Sequence, residues 1–197
     1  MVNKEKYEQY MKLFLEENSK VNLISKKDEK FLWEKHIFDS LAINNFFEKH
    51  NPKRKNLLDI GTGGGFPALP IAITYPEIKV VAVDSIGKKI RAIENIKNGL
   101  ELQNIEPICT RVENLDKKFD IITSRAVASL DKICEYALPK LEKNGYFIAY
   151  KSKKVNEEIE QAKTVLKKYK AEVIEIIEYK LPLEEEINRN LVIIKKF

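Results

Sequence analysis

Asp59-Ile60-Gly61-Thr62-Gly63-Gly64-Gly65-Phe66-Pro67 is the stretch of this sequence best suited to hold a ligand. A short apolar run, Leu57 to Ile60, leads into it, and a helical pattern over residues 67–75 leads out. Glycine is required where the backbone takes positive φ or must approach a ligand closely. In open α/β sheets, ligands bind at the carboxyl ends of strands, at such turns. A second acid, Asp84, ends the next strand pattern, 19 residues after Gly65. A carboxylate there can accept hydrogen bonds from both hydroxyls of a ribose. Turn and acid together point to a ligand that carries a nucleoside. The dinucleotide fingerprint G-x-G-x-x-G needs a third glycine three residues after the second, and that position here is Phe66. A nicotinamide-linked oxidoreductase is therefore disfavoured. The bland alternative is a glycine-rich turn that binds nothing.

The actual spacing, Asp-x-Gly-x-Gly-x-Gly, resembles the first motif of class I methyltransferases, whose cofactor, S-adenosylmethionine, has no pyrophosphate to cradle. On that reading the exit from the fourth strand, Ile121-Ile122-Thr123-Ser124-Arg125-Ala126-Val127-Ala128-Ser129, bears on the acceptor. It lacks the Asn/Asp-Pro-Pro-aromatic tetrad of enzymes that methylate exocyclic amines. Cys109 precedes Thr110 and Cys134 falls in a helical pattern, so neither suits the nucleophile that cytosine-C5 methylation needs. Both read as small buried side chains. An acceptor with a free lone pair, such as guanine N7, needs neither device. The enzyme's work is then positioning and electrostatics.

The chain resembles the bacterial small-subunit ribosomal RNA guanine-N7 methyltransferase family, also called glucose-inhibited division protein B. The matching segments are His36-Ile37-Phe38-Asp39-Ser40-Leu41, the turn from Asp59 to Pro70, Asp84-Ser85-Ile86-Gly87-Lys88-Lys89, Arg111-Val112-Glu113, Ser124-Arg125-Ala126 and Lys151. The resemblance implies methyl transfer from S-adenosylmethionine to guanine 527, in the 530 loop of 16S ribosomal RNA, with that RNA or the 30S subunit as partner. It implies Gly61, Gly63, Gly65 and Phe66 at the cofactor from the turn, Asp84 on the ribose, and Val112 and Glu113 beside the adenine. Arg125 would stand between cofactor and base, or serve as a structural ion pair. His36, Arg111 and Lys151 become RNA contacts, with His36 and Arg125 as positioning candidates and no certain catalytic group. Asp39, one turn from His36, reads as a helix-face partner. Three departures stand out: Ala68 and Ser152 where the family favours Gly, and Ile24 where it favours Thr.

Elements must hold these residues. Apolar spacing predicts a helix over residues 4–17 and a second from Asp28, its cap, to Glu48, followed by a basic connector, Asn51 to Lys55. From residue 56 onward strands and helices alternate: strands at 57–60, 79–84, 105–110, 119–123 and 145–150, helices at 67–75, 86–100, 130–142 and 154–170. That alternation predicts a doubly wound, mostly parallel α/β sheet. Two β-rich stretches, 172–179 and 190–195, have no helix between them and predict an antiparallel edge pair. The expected organisation is an N-terminal helical extension, 1–55, capping a Rossmann-like methyltransferase domain, 56–197.

Composition sets outer limits. Lys and Arg number 35 against 30 Asp and Glu, a net charge of +5 that permits a nucleic-acid partner without requiring one. Two cysteines make no disulfide framework or metal spacing, which suits a reducing cytoplasm. No apolar run approaches the ~18–20 residues of a membrane span. The expectation is a cytoplasmic monomer with no metal and no membrane. Competing readings are a methyltransferase with a protein or small-molecule acceptor, and a non-catalytic RNA-binding module for ribosome assembly.

Overall fold

Unbroken apolar runs such as Val80-Val81-Ala82-Val83 belong to strands covered on both faces, and they occupy such strands here. The computed structural model describes residues 4–50, 52, 55–152 and 154–197. In chain order, the first half holds α1 (Lys4–Val21), α2 (Phe38–Leu41), α3 (Asn44–His50), β1 (Asn56–Ile60), α4 (Ala68–Thr74), β2 (Lys79–Asp84) and α5 (Gly87–Gly99). Then come β3 (Ile105–Cys109), β4 (Phe119–Arg125), α6 (Leu130–Lys140), β5 (Leu141–Lys151), α7 (Val155–Lys168), β6 (Ala171–Leu181) and β7 (Ile187–Lys196). They build a sheet in the order β3-β2-β1-β4-β5-β7-β6. The first five strands are parallel, and β7 runs antiparallel to both β5 and β6. Strand order reverses between β1 and β4, so the crevice for a ligand opens at the carboxyl ends of those two strands. The glycine turn leaves β1 there, and Arg125 ends β4 there.

Side-chain alternation splits the core. Leu57, Val80, Ile121 and Ile193 face one layer with α1, α4 and α5, while Leu58, Val81, Ile122 and Val192 face the other with α6 and α7. The N-terminal segment shares the first layer: Tyr10, Phe14, Ile37 and Phe46 are fully buried in it. Tyr7 donates to the Pro70 carbonyl at 3.1 Å and bonds Thr74 at 2.8 Å, docking α1 on α4.

The predicted helix from Asp28 to Glu48 is instead four pieces. A 3-10 helix (Lys26–Phe31) leads into a π-helical turn (Leu32–Ile37), then α2 and, after a two-residue turn, α3. Ser25, not Asp28, is the cap: its Oγ accepts from the Asp28 N–H and donates to the Asp28 carboxylate. The π turn has a physical reason. Leu32 and Ile37, five residues apart, are both buried, and i,i+5 is the repeat of a π turn. An α-helical period would have placed His36 in that row. The wider turn moves it toward the cleft and leaves Phe38, expected on the apolar face, 37% exposed. Of the basic connector, Asn51, Lys53 and Arg54 lie outside the described residues, as does Lys153 beyond β5.

Candidate functional site

A cleft of about 710 Å³ opens where β1 and β4 diverge. Its floor is the glycine turn. Gly61 and Gly63 both have positive φ, at +66° and +57°. A Cβ on Gly61 would lie 2.5 Å from a Val127 methyl, so the loop after β4 closes directly over it. A Cβ on Gly63 would meet nothing closer than a backbone oxygen at 3.8 Å, so this face of the turn is bare and free for a ligand. Gly65 was expected beside them. It packs against Leu69 and steers the chain into α4, while Gly64 lines the cleft in its place. Ala68 begins α4 fully buried, so the turn survives that departure from the family pattern.

Asp84 faces the cleft from the end of β2. Its Oδ2 accepts from the Gly63 N–H and its Oδ1 from the Ile86 N–H, each at 2.9 Å. A carboxylate oxygen has two acceptor sites, so one on each oxygen is left for a ligand hydroxyl. Val112, in a short 3-10 turn after β3, is buried in the second core layer and lines the cleft; Glu113 and Arg111 are exposed at its mouth. Cys109, expected to be buried, is exposed because β3 is an edge strand, whereas burial of Cys134 pushes its thiol up to about 12.

At the other end of the cleft five elements converge: the glycine turn, the π turn, α2, β4 and β6. Phe66 is buried, with the His36 ring and the Arg125 guanidinium each 5.0 Å from its ring centre. Arg125 donates to Asp39 Oδ2 at 2.9 Å and to His36 Nδ1 at 3.2 Å. Tyr179, from β6, donates to the other Asp39 oxygen at 2.7 Å. Because guanidinium only donates, His36 accepts at Nδ1 and carries its proton on Nε2, which has no partner among the described residues. Burial, and then the Arg125 charge, push the His36 pKa down to about 4, so the ring is neutral at pH 7.

Behind this wall lies a second cavity of about 540 Å³, which shares Asp28, His36, Arg125 and Ala126 with the first. Lys151, expected as an RNA or cofactor contact, borders it with only 9% of its side chain exposed. Its ammonium donates to Glu158 and to the Ala128 carbonyl, at 2.7 and 2.8 Å. Glu158 in turn accepts from the Leu130 N–H at the start of α6. Lys151 thus braces the β4–α6 loop. Sequence reasoning quoted Ala126 and Val127 of that loop without giving either a site role, and it missed Tyr179 and Glu158, which only the fold brings here.

Beneath the turn, Asp59 is fully buried and accepts from Thr123 at 2.8 Å; its second oxygen has no partner among the described residues. Burial pushes its carboxyl up from 3.8 to about 6, against the Thr123 hydroxyl and the more distant Arg125 charge. Between those pH values the folded protein keeps a proton that the unfolded chain has lost. This contribution to stability is therefore full below about pH 4 and disappears as pH rises through 6. His36 acts in the opposite sense over the same window, losing stability as pH falls from 6.5 to about 4. Asp59→Asn removes only the first effect. Relative to wild type, the variant is expected to gain about 2 kcal/mol of stability between pH 4.5 and 7.5. Urea unfolding at both pH values checks this, and an equal difference at the two would refute it.

A family model described as GidB, rRNA small subunit methyltransferase G, matches residues 3–191. A Staphylococcus aureus (strain JH9) protein named ribosomal RNA small subunit methyltransferase G is 37% identical over 198 residues, 98% of this chain and 82% of the relative. A Thermoanaerobacter sp. (strain X514) protein of the same name is 38% identical over 202 residues, covering 100% of this chain and 83% of the relative. Among solved structures, TYW2 of P. horikoshii in complex with MeSAdo has a TM-score of 0.64 at 14% identity, over 82% of this chain and 62% of that one. A SAM-dependent O-methyltransferase from Thermotoga maritima has a TM-score of 0.60 at 15% identity, over 81% and 64%. These two likenesses carry the fold, that of class I methyltransferases. With the family model spanning nearly the whole sequence and relatives this similar, the chain belongs to the rRNA small subunit methyltransferase G family, the GidB family.

Proposed function

We propose that this protein transfers a methyl group from S-adenosylmethionine to N7 of a guanine in small-subunit ribosomal RNA, namely guanine 527 of the 530 loop in 16S RNA. The observation that carries the reading is the pair of adjoining cavities. The first offers a bare glycine turn and a ribose-binding carboxylate. The second is walled by cations and carboxylates and meets the first at Arg125.

The residues fit the cofactor. Asp84 has acceptor sites left for two ribose hydroxyls, and Val112 and Glu113 stand beside the space for an adenine. Gly61, Gly63 and Phe66 line the remaining length, which ends at His36 and Arg125. When bound, the cofactor supplies an electrophilic sulfonium methyl. Guanine N7 attacks with a lone pair already in place, so no proton must leave and no general base is needed. The neutral His36, its Nδ1 occupied by Arg125, is arranged to position and not to accept a proton. The methylated guanine gains a positive charge. Asp28, Asp39 and Glu158 on the second cavity supply carboxylates to stabilise it. Arg125 and Arg189, on the same walls, suit phosphate oxygens of the RNA.

The test is transfer of radiolabelled methyl to 30S subunits, with the modified nucleoside identified by mass spectrometry. The expected product is 7-methylguanosine, one per subunit, at guanine 527. Label in another nucleoside, or in ribosomal protein, would overturn the assignment.

A further inference from the structure

Four residues lie on the walls of both cavities: Asp28, His36, Arg125 and Ala126. A methyl group that passes from the first cavity to the second crosses the seam they form. Three of them are fixed in place. Asp28 is held by Ser25 and Lys35, and His36 and Arg125 hold each other, with Arg125 also on Asp39. The fourth projects only a methyl group. Ala126 also sits at φ +55°, in the left-handed region where a residue with a Cβ is uncommon. Such outliers persist where the surroundings over-determine them, and they gather at functional sites. Here the surroundings are plain. On one side of Ala126 the guanidinium of Arg125 is drawn to Asp39; on the other, Val127 lies against Gly61. The left-handed turn lets consecutive side chains reach these two separate anchors and leaves the smallest of the shared side chains at the seam.

We infer that Ala126 is the aperture of the transfer: its small side chain, on a left-handed backbone between the two cavities, sets how closely the acceptor nitrogen and the sulfonium methyl approach. This rests on the function proposed above. In the transfer the N7–carbon bond forms as the carbon–sulfur bond breaks, and the bonding pair leaves with sulfur. Such an in-line displacement requires the reacting atoms to come within about 3–3.5 Å before reaction. A side chain longer than alanine at the seam stands in that gap.

Two substitutions separate bulk from backbone. Asparagine and glycine both accept positive φ, but only asparagine fills the aperture. Ala126→Asn is expected to keep the wild-type melting temperature, and its affinity for S-adenosylhomocysteine by calorimetry within about threefold. Its kcat on 30S subunits should fall at least about 100-fold, with KM little changed. Ala126→Gly should lose less than about tenfold in kcat. An Ala126→Asn enzyme as fast as the glycine variant overturns the aperture. So does one whose cofactor affinity falls in step with kcat, since that places the added bulk in the cofactor cavity. A wild-type protein that labels no RNA overturns the functional reading and the aperture with it; an active wild type beside an active asparagine variant overturns the aperture alone.

Discussion

An Asp84→Ala variant is expected to fold, to bind S-adenosylhomocysteine at least about 100-fold more weakly than wild type, and to transfer no measurable methyl. The carboxylate has two tasks. It ties the glycine turn to the start of α5 through the N–H groups of Gly63 and Ile86, and under the function proposed above its remaining acceptor sites take the ribose. Hydrogen bonds to a charged group contribute about 1.5–3 kcal/mol each. Loss of two from the ribose therefore weakens binding by about 3 kcal/mol or more, a factor of at least about 100. Loss of the two backbone bonds costs less, because water reaches this partly exposed site and re-solvates the N–H groups. Calorimetric titration and thermal unfolding of the same preparation separate the tasks. A clear drop in melting temperature with affinity within about tenfold of wild type would make Asp84 a turn brace and remove it from the cofactor site.

What could be read in advance was what depends on neighbours in sequence. Strand runs such as Leu57-Leu58 and Val80 to Val83 declare themselves because a doubly covered strand needs apolar residues at every position. The turn and Asp84 declare themselves because glycine and an acid at fixed distances along one βαβ unit have few other uses. Legibility stops where partners are distant. Asp39 becomes the hub of the site only when β6 brings Tyr179 to it across 140 residues. Lys151 reads as an RNA or cofactor-site contact, and its ion pair shows only when α7 supplies Glu158. Gly65 and Gly63 are the same residue type two positions apart, and only the backbone path decides which one faces the cleft. Ala126 is legible in advance only as part of the Ser124-Arg125-Ala126 match; its side chain carries no chemistry, and its role shows only in its φ and its place between two cavities. The segment from Ser25 to Glu48 misleads for a different reason. Its apolar spacing mixes i+4 with i+5, and a period assumed to be 3.6 smooths the π turn away.

Asp39→Leu is expected to cost about 3 kcal/mol of folding stability, near the lower end for breaking a buried ion pair. Only 6% of the Asp39 side chain and 15% of the Arg125 side chain are exposed, so the arginine left behind is poorly solvated. Tyr179 loses its acceptor as well. The outcome stays below the upper end of that range because Arg125 borders both cavities, and water there can recover part of its solvation. A double variant, Asp39→Leu with Arg125→Met, removes both charges and should recover most of the loss, because an apolar pair avoids the desolvation that the ion pair suffered. Activity should not follow stability. If Arg125 serves the base or the methionine end of the cofactor, the double variant folds well, as urea unfolding would show, and still transfers methyl at least about 100-fold more slowly than wild type. A double variant with both stability and wild-type kcat would reduce Arg125 to an internal ion pair. The seam between the cavities would then owe its chemistry to Asp28 and His36, with Ala126 contributing only its small size.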